Sequence, residues 1–183
     1  MDGQFYNDLL KPFIITPVAA VTLSTTNKAL YPVANIPSMG KDYWYAGKAV
    51  RIRAFGQITT GATPGNLTVA LNYGTGADNV GVALATSAAQ TLVASQTNIS
   101  WRIDLTTRCI SIGSAGTLFT TGEAFFESAV IANRIFLIPA SAPAVSAACD
   151  LTVASDVLSL QALRSGSTAE TMQIVDMQVI ALN

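Results

Sequence analysis

From residue 47 onward the chain alternates apolar and polar positions with a period of two, and turn residues break the pattern about every ten residues. In GKAVRIRAFGQITTGATPGNLTVALNYG, residues 47–74, Val50, Ile52 and Ala54 share one face, while Arg51, Arg53 and Phe55 share the other. A Gly/Pro turn leads into a second strand in which Leu67, Val69, Leu71 and Tyr73 alternate inward, so the pair reads as a hairpin. VGVAL follows, with Val80, Val82 and Leu84 expected inside. NISWRIDLTTRCISIG places Ile99, Trp101, Ile103 and Leu105 on one face and Ser100, Arg102 and Asp104 on the other. There the apolar phase passes to Ile110 and Ile112, which predicts a bulge near Thr107. TLFTTGEAFFES, CDLTVASDVLSLQAL and ETMQIVDMQVIALN supply the remaining strands. Short strands at this spacing predict an all-β, jelly-roll-like antiparallel β-sandwich.

The ends of the pattern are less regular. Residues 1–26 mix Pro12 and Pro17 with apolar runs and are expected as an extended N-terminal arm, with 27–183 as a single sandwich domain. Residues 128–148, SAVIANRIFLIPASAPAVSAA, read as a long Ala/Ser/Pro connection, and connections of this length usually cover something.

Three places on the strands raise a question of partners. The cations and phenylalanine at Arg51, Arg53 and Phe55 suit either a solvated face with weak ion pairs or the core of a protein interface. In TLFTTGEAFF, Phe119 and Phe125 lie on one face, with Leu118, Ala124 and Phe126 on the other. A strand apolar on both sides needs cover on both, from the 128–148 connection or from a neighbouring subunit. Tyr43, Trp44 and Tyr45 precede the first long strand, either as a plug at the end of the sandwich or as a surface for stacking on sugars.

Composition sharpens the picture. The 183 residues suit one domain, 50% are hydrophobic and only 11% are charged, against about 25% in an ordinary soluble domain. Such a chain is expected to close its surface against copies of itself or another protein. Apolar runs such as PFIITPVAAVTL are broken well short of the roughly 18 residues a helical membrane span needs, so no membrane partner is expected. Ten scattered Lys and Arg against eleven acids give no nucleic-acid footprint. The start MDGQFYNDLL has no secretory pattern, so synthesis and retention in a cytoplasm are expected, with Cys109 and Cys149 free and buried. The sequons at Asn66 and Asn98 then read as chance.

Candidate chemistry is sparse. The sequence has no histidine, which removes His-based acid–base catalysis, Ser-His-Asp triads and most transition-metal sites. The acids are dispersed, and the Gly-rich stretches at 61–65 and 74–76 have turn chemistry with no following Lys-Ser/Thr. No catalytic residues, cofactor or metal are expected.

The order YWYAGKAVRIRAFGQITTGATPGNLTVALNYG, LATSAAQTLVASQTNISWRIDLTTRCISIGSAGTLFTTGEA, a Pro/Ala loop and a closing MQIVDMQVIALN resembles small virion structural proteins of tailed bacteriophages, the jelly-roll head decoration (cement) proteins. The resemblance covers about residue 27 to the end, on turn and strand segments. It implies a non-enzymatic protein of the capsid surface, assembled in the host cytoplasm and bound as a homotrimer to the major capsid protein lattice. Arg51, Arg53, Phe55, Phe119 and Phe125 are then the candidate interface residues. Two alternatives stand beside it: a tail, baseplate or head-fibre component, or a carbohydrate-binding module that would use Tyr43, Trp44 and Tyr45.

Overall fold

A computed structural model describes residues 17–39, 42–141 and 145–182. Eleven strands form two antiparallel sheets among these residues: β1 Val21–Thr22, β2 Lys28–Ala29, β3 Ala49–Thr59, β4 Asn66–Gly74, β5 Val82–Thr86, β6 Gln90–Thr91, β7 Ile99–Ser111, β8 Thr117–Phe126, β9 Ile135–Ile138, β10 Val157–Arg164 and β11 Thr171–Ala181. One sheet has the order β1-β11-β3-β7-β8-β9; the other runs β2-β10-β4-β5, with β6 also paired to β4. The fold is an all-β, jelly-roll-like sandwich, as the alternation predicts.

The period-two pattern decides what lies between the sheets. From the six-stranded sheet Val50, Ile52, Ala54, Trp101, Ile103 and Leu105 point inward, and Leu67, Val69, Leu71, Tyr73, Leu158 and Leu160 meet them from the other. An aromatic row continues across the core from β7 to β9. Trp101 stacks on Phe126 at 6.2 Å, and Phe126 on Phe136 at 5.7 Å. Each buried side chain of this kind contributes about 1.5–3 kcal/mol, so the row fastens the short strand β9 firmly to the sheet.

Four expectations change. The strands of residues 47–74 are no hairpin: β3 lies in one sheet and β4 in the other. Their connection packs sideways, for the Thr60 hydroxyl donates to the Val93 carbonyl and accepts from the Gln96 amide. A turn signal fixes that the chain reverses, not which layer it enters. Val80 is exposed, because β5 begins only at Val82. The phase of β7 does not move at Thr107. Thr107 and Cys109 stay inside, the Thr107 hydroxyl 3.0 Å from that of Thr120, and the register shifts only between Cys109 and Ser111. Ile110 and Ile112 are left exposed. Finally, the 128–148 connection contains strand β9, and β10 starts at Val157 because CDLTVASD is occupied by turns.

Of the expected arm, residues 1–16 lie outside the described residues. Beyond them Val18 donates its amide to the Ile174 carbonyl, and Val21 and Thr22 pair with Met172 and Thr171 along the edge of β11.

Candidate functional site: the outer face of the six-stranded sheet

The face turned away from the core gathers the odd-numbered side chains of β3, β8 and β9 and the even-numbered ones of β7. Cross-strand register arranges them in rows. Gln178, Arg53, Asp104, Glu123 and Leu137 form one; Asp176, Phe55, Arg102, Phe125 and Ile135 form the next. All five candidate interface residues therefore share one surface, with Arg51 beside Thr106 and Phe119 beside Arg108.

Asp104 organises the charges. Arg51 donates from Nε and Nη2 to its two carboxylate oxygens at 2.7 and 2.6 Å, and Arg53 Nε lies 3.4 Å from Oδ2. These pairs are partly exposed at the surface, so they are worth at most about 1 kcal/mol each and act mainly to orient the guanidinium groups. Arg102 is placed differently. Its guanidinium carbon is 5.1 Å from the centre of the Phe125 ring, and that of Arg134 is 5.6 Å from the same ring. Phe125 is thus half-buried beneath two cations, a contact worth about 0.5–1 kcal/mol at an exposed site.

The rest of the face is open and apolar. Phe55 is 48% exposed, Phe119 39%, Ile135 57% and Leu137 66%. The cover expected over β8 is only partial: Val145, from the 128–148 connection, bridges to Phe119 and is itself exposed. Between β11 and β8 the face dips into a concavity of about 400 Å³. Arg53, Phe55, Arg102, Asp104, Glu123, Asp176 and Gln178 line it. Gln178 donates to Asp176 Oδ2 at 3.2 Å, while the buried Oδ1 has no hydrogen-bond partner among the described residues.

Two parts of this surface escaped sequence reasoning. Ile135 and Leu137 sit in a four-residue apolar run inside a Pro/Ala-rich segment, where alternation is unreadable. Asp176 and Gln178 share a face with Phe55 only because the β11 register shifts between Ile174 and Asp176. Gly56 stands opposite Ile174, where the shift begins, but a glycine in β3 does not by itself say which strand will bulge.

The tyrosine–tryptophan cluster lies elsewhere, at one end of the sandwich. Trp44 is 5% exposed, donates from Nε1 to the Tyr73 hydroxyl at 3.3 Å and meets Tyr43 edge-on at 5.1 Å. Burial pushes the Tyr73 hydroxyl up to about 12 and raises that of Tyr43 further. Lys48, also buried, places its Nζ 5.2 and 5.5 Å from the rings of Tyr43 and Tyr45, and burial lowers its pKa. Trp44 fills the end of the core and presents no face to a sugar; of the three aromatics Tyr45 alone is exposed.

Cys109 and Cys149 are free and buried near this end, both thiols raised first by burial. Asp156 is buried here too, its carboxyl pushed up by desolvation and then by Asp150. A carboxyl raised in the folded state favours folding at low pH and loses that advantage as pH rises past its unfolded value. Asp156→Asn is therefore expected to raise the melting temperature near pH 7 and leave it unchanged near pH 3, a contrast read by thermal denaturation at both values.

No family model matches this sequence, and no curated protein matches it. Among solved structures the chain is similar to lectin I-B4 from Griffonia simplicifolia in its metal-free form, at 10% identity over 95% of this chain and 92% of that one, with a TM-score of 0.40. It is also similar to botulinum neurotoxin type C, whose cell entry depends on interaction with two ganglioside molecules. There the identity is 9%, the TM-score 0.38, and this whole chain spans half of the other. At such identities and scores, nothing about ligands passes from those proteins to this one.

Proposed function

We propose that this chain is a non-enzymatic structural subunit of a tailed-bacteriophage virion, a decoration protein that seats the outer face of its six-stranded sheet on the major capsid protein lattice as an oligomer. The observation that carries the reading is the open apolar group Phe55, Phe119, Ile135 and Leu137 beside the cations Arg102 and Arg134. Protein interfaces are enriched in aromatic residues and Arg at their centres, and an interface of about 1,600 Å² around such a patch holds firmly. The virion context comes from the sequence resemblance. A tail, baseplate or head-fibre position would use the same face.

The test is rebinding of purified protein to capsids stripped of it. Phe55→Asp is expected to weaken rebinding by about 30-fold or more, the effect of a central hot-spot residue. Its half-exposed position should leave the circular-dichroism spectrum unchanged and the folding stability within about 1 kcal/mol. Equal occupancy of the variant, or no rebinding by the wild type, would refute the reading.

The concavity supports a second reading, in which a glycan is bound there. An aromatic ring flanked by Arg53, Asp104, Glu123, Asp176 and Gln178 offers an apolar platform beside converging polar groups. Binding on a glycan array that is lost in Phe55→Asp and kept in Trp44→Phe would favour it over capsid docking.

A further inference from the structure

The two edges of the six-stranded sheet are treated unlike each other. At one edge β1 pairs with the start of β11, and Val18 adds a further backbone bond to Ile174. The opposite edge is β9, residues IFLI, which pairs with β8 alone.

The ladder fixes what β9 presents. Phe126 donates its amide to the Arg134 carbonyl, which makes 126/134 a hydrogen-bonded pair; by alternation 124/136 and 122/138 are the next two. Arg134, Phe136 and Ile138 therefore spend their backbone groups on β8. Those of Ile135 and Leu137 point away from the sheet, and no hydrogen bond reaches either among the described residues. Their side chains stand on the outer face, 57% and 66% exposed, while Phe136 anchors the strand in the core. Exposed edges are normally blunted by a central charge, a proline, a bulge or a covering segment. Here Arg134 and Pro139 flank the strand and its centre carries none of these.

We propose that two copies of this chain pair through β9, antiparallel about a two-fold axis at Phe136, so that Ile135 of each meets Leu137 of the other. This register is self-complementary. Each Ile135–Leu137 pair exchanges two N–H···O=C bonds, and the axis repeats the pair, so all four outward donors and all four outward acceptors are satisfied. The next rung would bring Pro139 opposite Asn133, and proline has no N–H to give, so the ladder ends where the apolar strand ends. On the outer face the rows join as Phe125–Ile135–Leu137–Glu123 across the axis. No like charges fall opposite one another, and two apolar side chains per copy gain cover. An isologous contact of this kind closes on itself, which removes the hazard an open edge presents.

The inference rests on the backbone edge of β9, and although Ile135 and Leu137 also belong to the outer-face group, the mass of the isolated chain and the capsid rebinding of Phe55→Asp test the two readings separately. It predicts a two-fold contact, where the sequence resemblance implies a three-fold one. The experiment is sedimentation of the full chain over a concentration series, joined to amide hydrogen exchange. The wild type is expected to approach twice the 19.1 kDa of one chain as concentration rises. Slowed exchange at Ile135 and Leu137 should appear over the same range. Leu137→Lys puts charge at the centre of the edge, and Ile135→Lys does so from the other half of the pair. Each should raise the dissociation constant at least about tenfold without changing the fold. A mass that stays at one chain, a three-copy mass, or a dimer insensitive to both variants would overturn the proposal. So would protection of the two amides that persists in the dilute monomer, since some other segment would then occupy the edge.

Discussion

Gly56→Ala is expected to destabilise the sandwich by about 3 kcal/mol or more, although the substitution adds a single methyl group. A Cβ at this position would lie 1.8 Å from the Gln173 carbonyl oxygen and 2.9 Å from Cζ2 of Trp101, so neither backbone nor core leaves room for it. Relief requires β3 and β11 to move apart at their most intimate point, and both strands carry core residues on either side. In a domain of this size each kcal/mol is worth roughly 2–4 °C, so the melting temperature should fall by at least about 6 °C, or the protein should fail to accumulate in soluble form. A fall of less than about 2 °C would show that the close approach is not a constraint. The consequence reaches the outer face. The bulge beside Gly56 shifts the phase of β11 so that Met172 and Ile174 are inside before it and Met177 and Val179 after it. Asp176 and Gln178 reach the concavity for that reason. A folded variant that had lost the bulge would turn them elsewhere and change the surface around Phe55.

Most of the sandwich is legible from alternation because a half-buried strand imposes it: β3, β4 and β7 each bury the residues their period assigns. The candidate interface is legible for the same reason. Once Val50 and Ile52 point inward, Arg51 and Arg53 have to point out, and the pairing of β3 with β7 brings Asp104 to them. What the sequence hides are features set by contact between distant segments. A glycine in β3 gives no notice that β11, more than a hundred residues later, will bulge against it. Thr107 and Thr120 look like an interruption of the apolar phase, yet one hydroxyl donates to the other inside the core, so the phase holds as far as Cys109. Strand β9 is hidden by its brevity: four apolar residues show no period, and its pairing with β8 and the stacking of Phe136 on Phe126 fix which of them are inside. Trp44 shows the limit for aromatic clusters, since three neighbours in sequence divide between core, boundary and solvent.

Glu170 offers the sharpest test of how the described part of the expected N-terminal arm, around Leu23, is tied to the domain. It is fully buried, and one oxygen accepts a hydrogen bond from the Thr168 hydroxyl while the other lies 3.1 Å from Nε of Arg164. Arg164 is itself only 14% exposed; its Nε donates to the Leu23 carbonyl and its Nη1 to that of Gly166, so Glu170 Oε2 meets it by charge and accepts no hydrogen bond among the described residues. Leu23 in turn gives its amide to the Glu170 carbonyl at 2.8 Å. One ion pair thus joins β10, the loop into β11 and the segment leaving β1. Glu170→Leu leaves a guanidinium out of water without its counter-charge, which costs about 3–5 kcal/mol. Arg164→Met should be similarly severe for the mirror reason. Replacing both, as Arg164→Met with Glu170→Leu, removes the two buried charges together and should recover most of the loss, because much of what a broken pair costs is the stranded partner. Urea denaturation of the three variants closes the cycle, and losses that simply add would show that the two side chains act separately. If the pair behaves as one unit, the fold holds this end of the chain by matched buried charge.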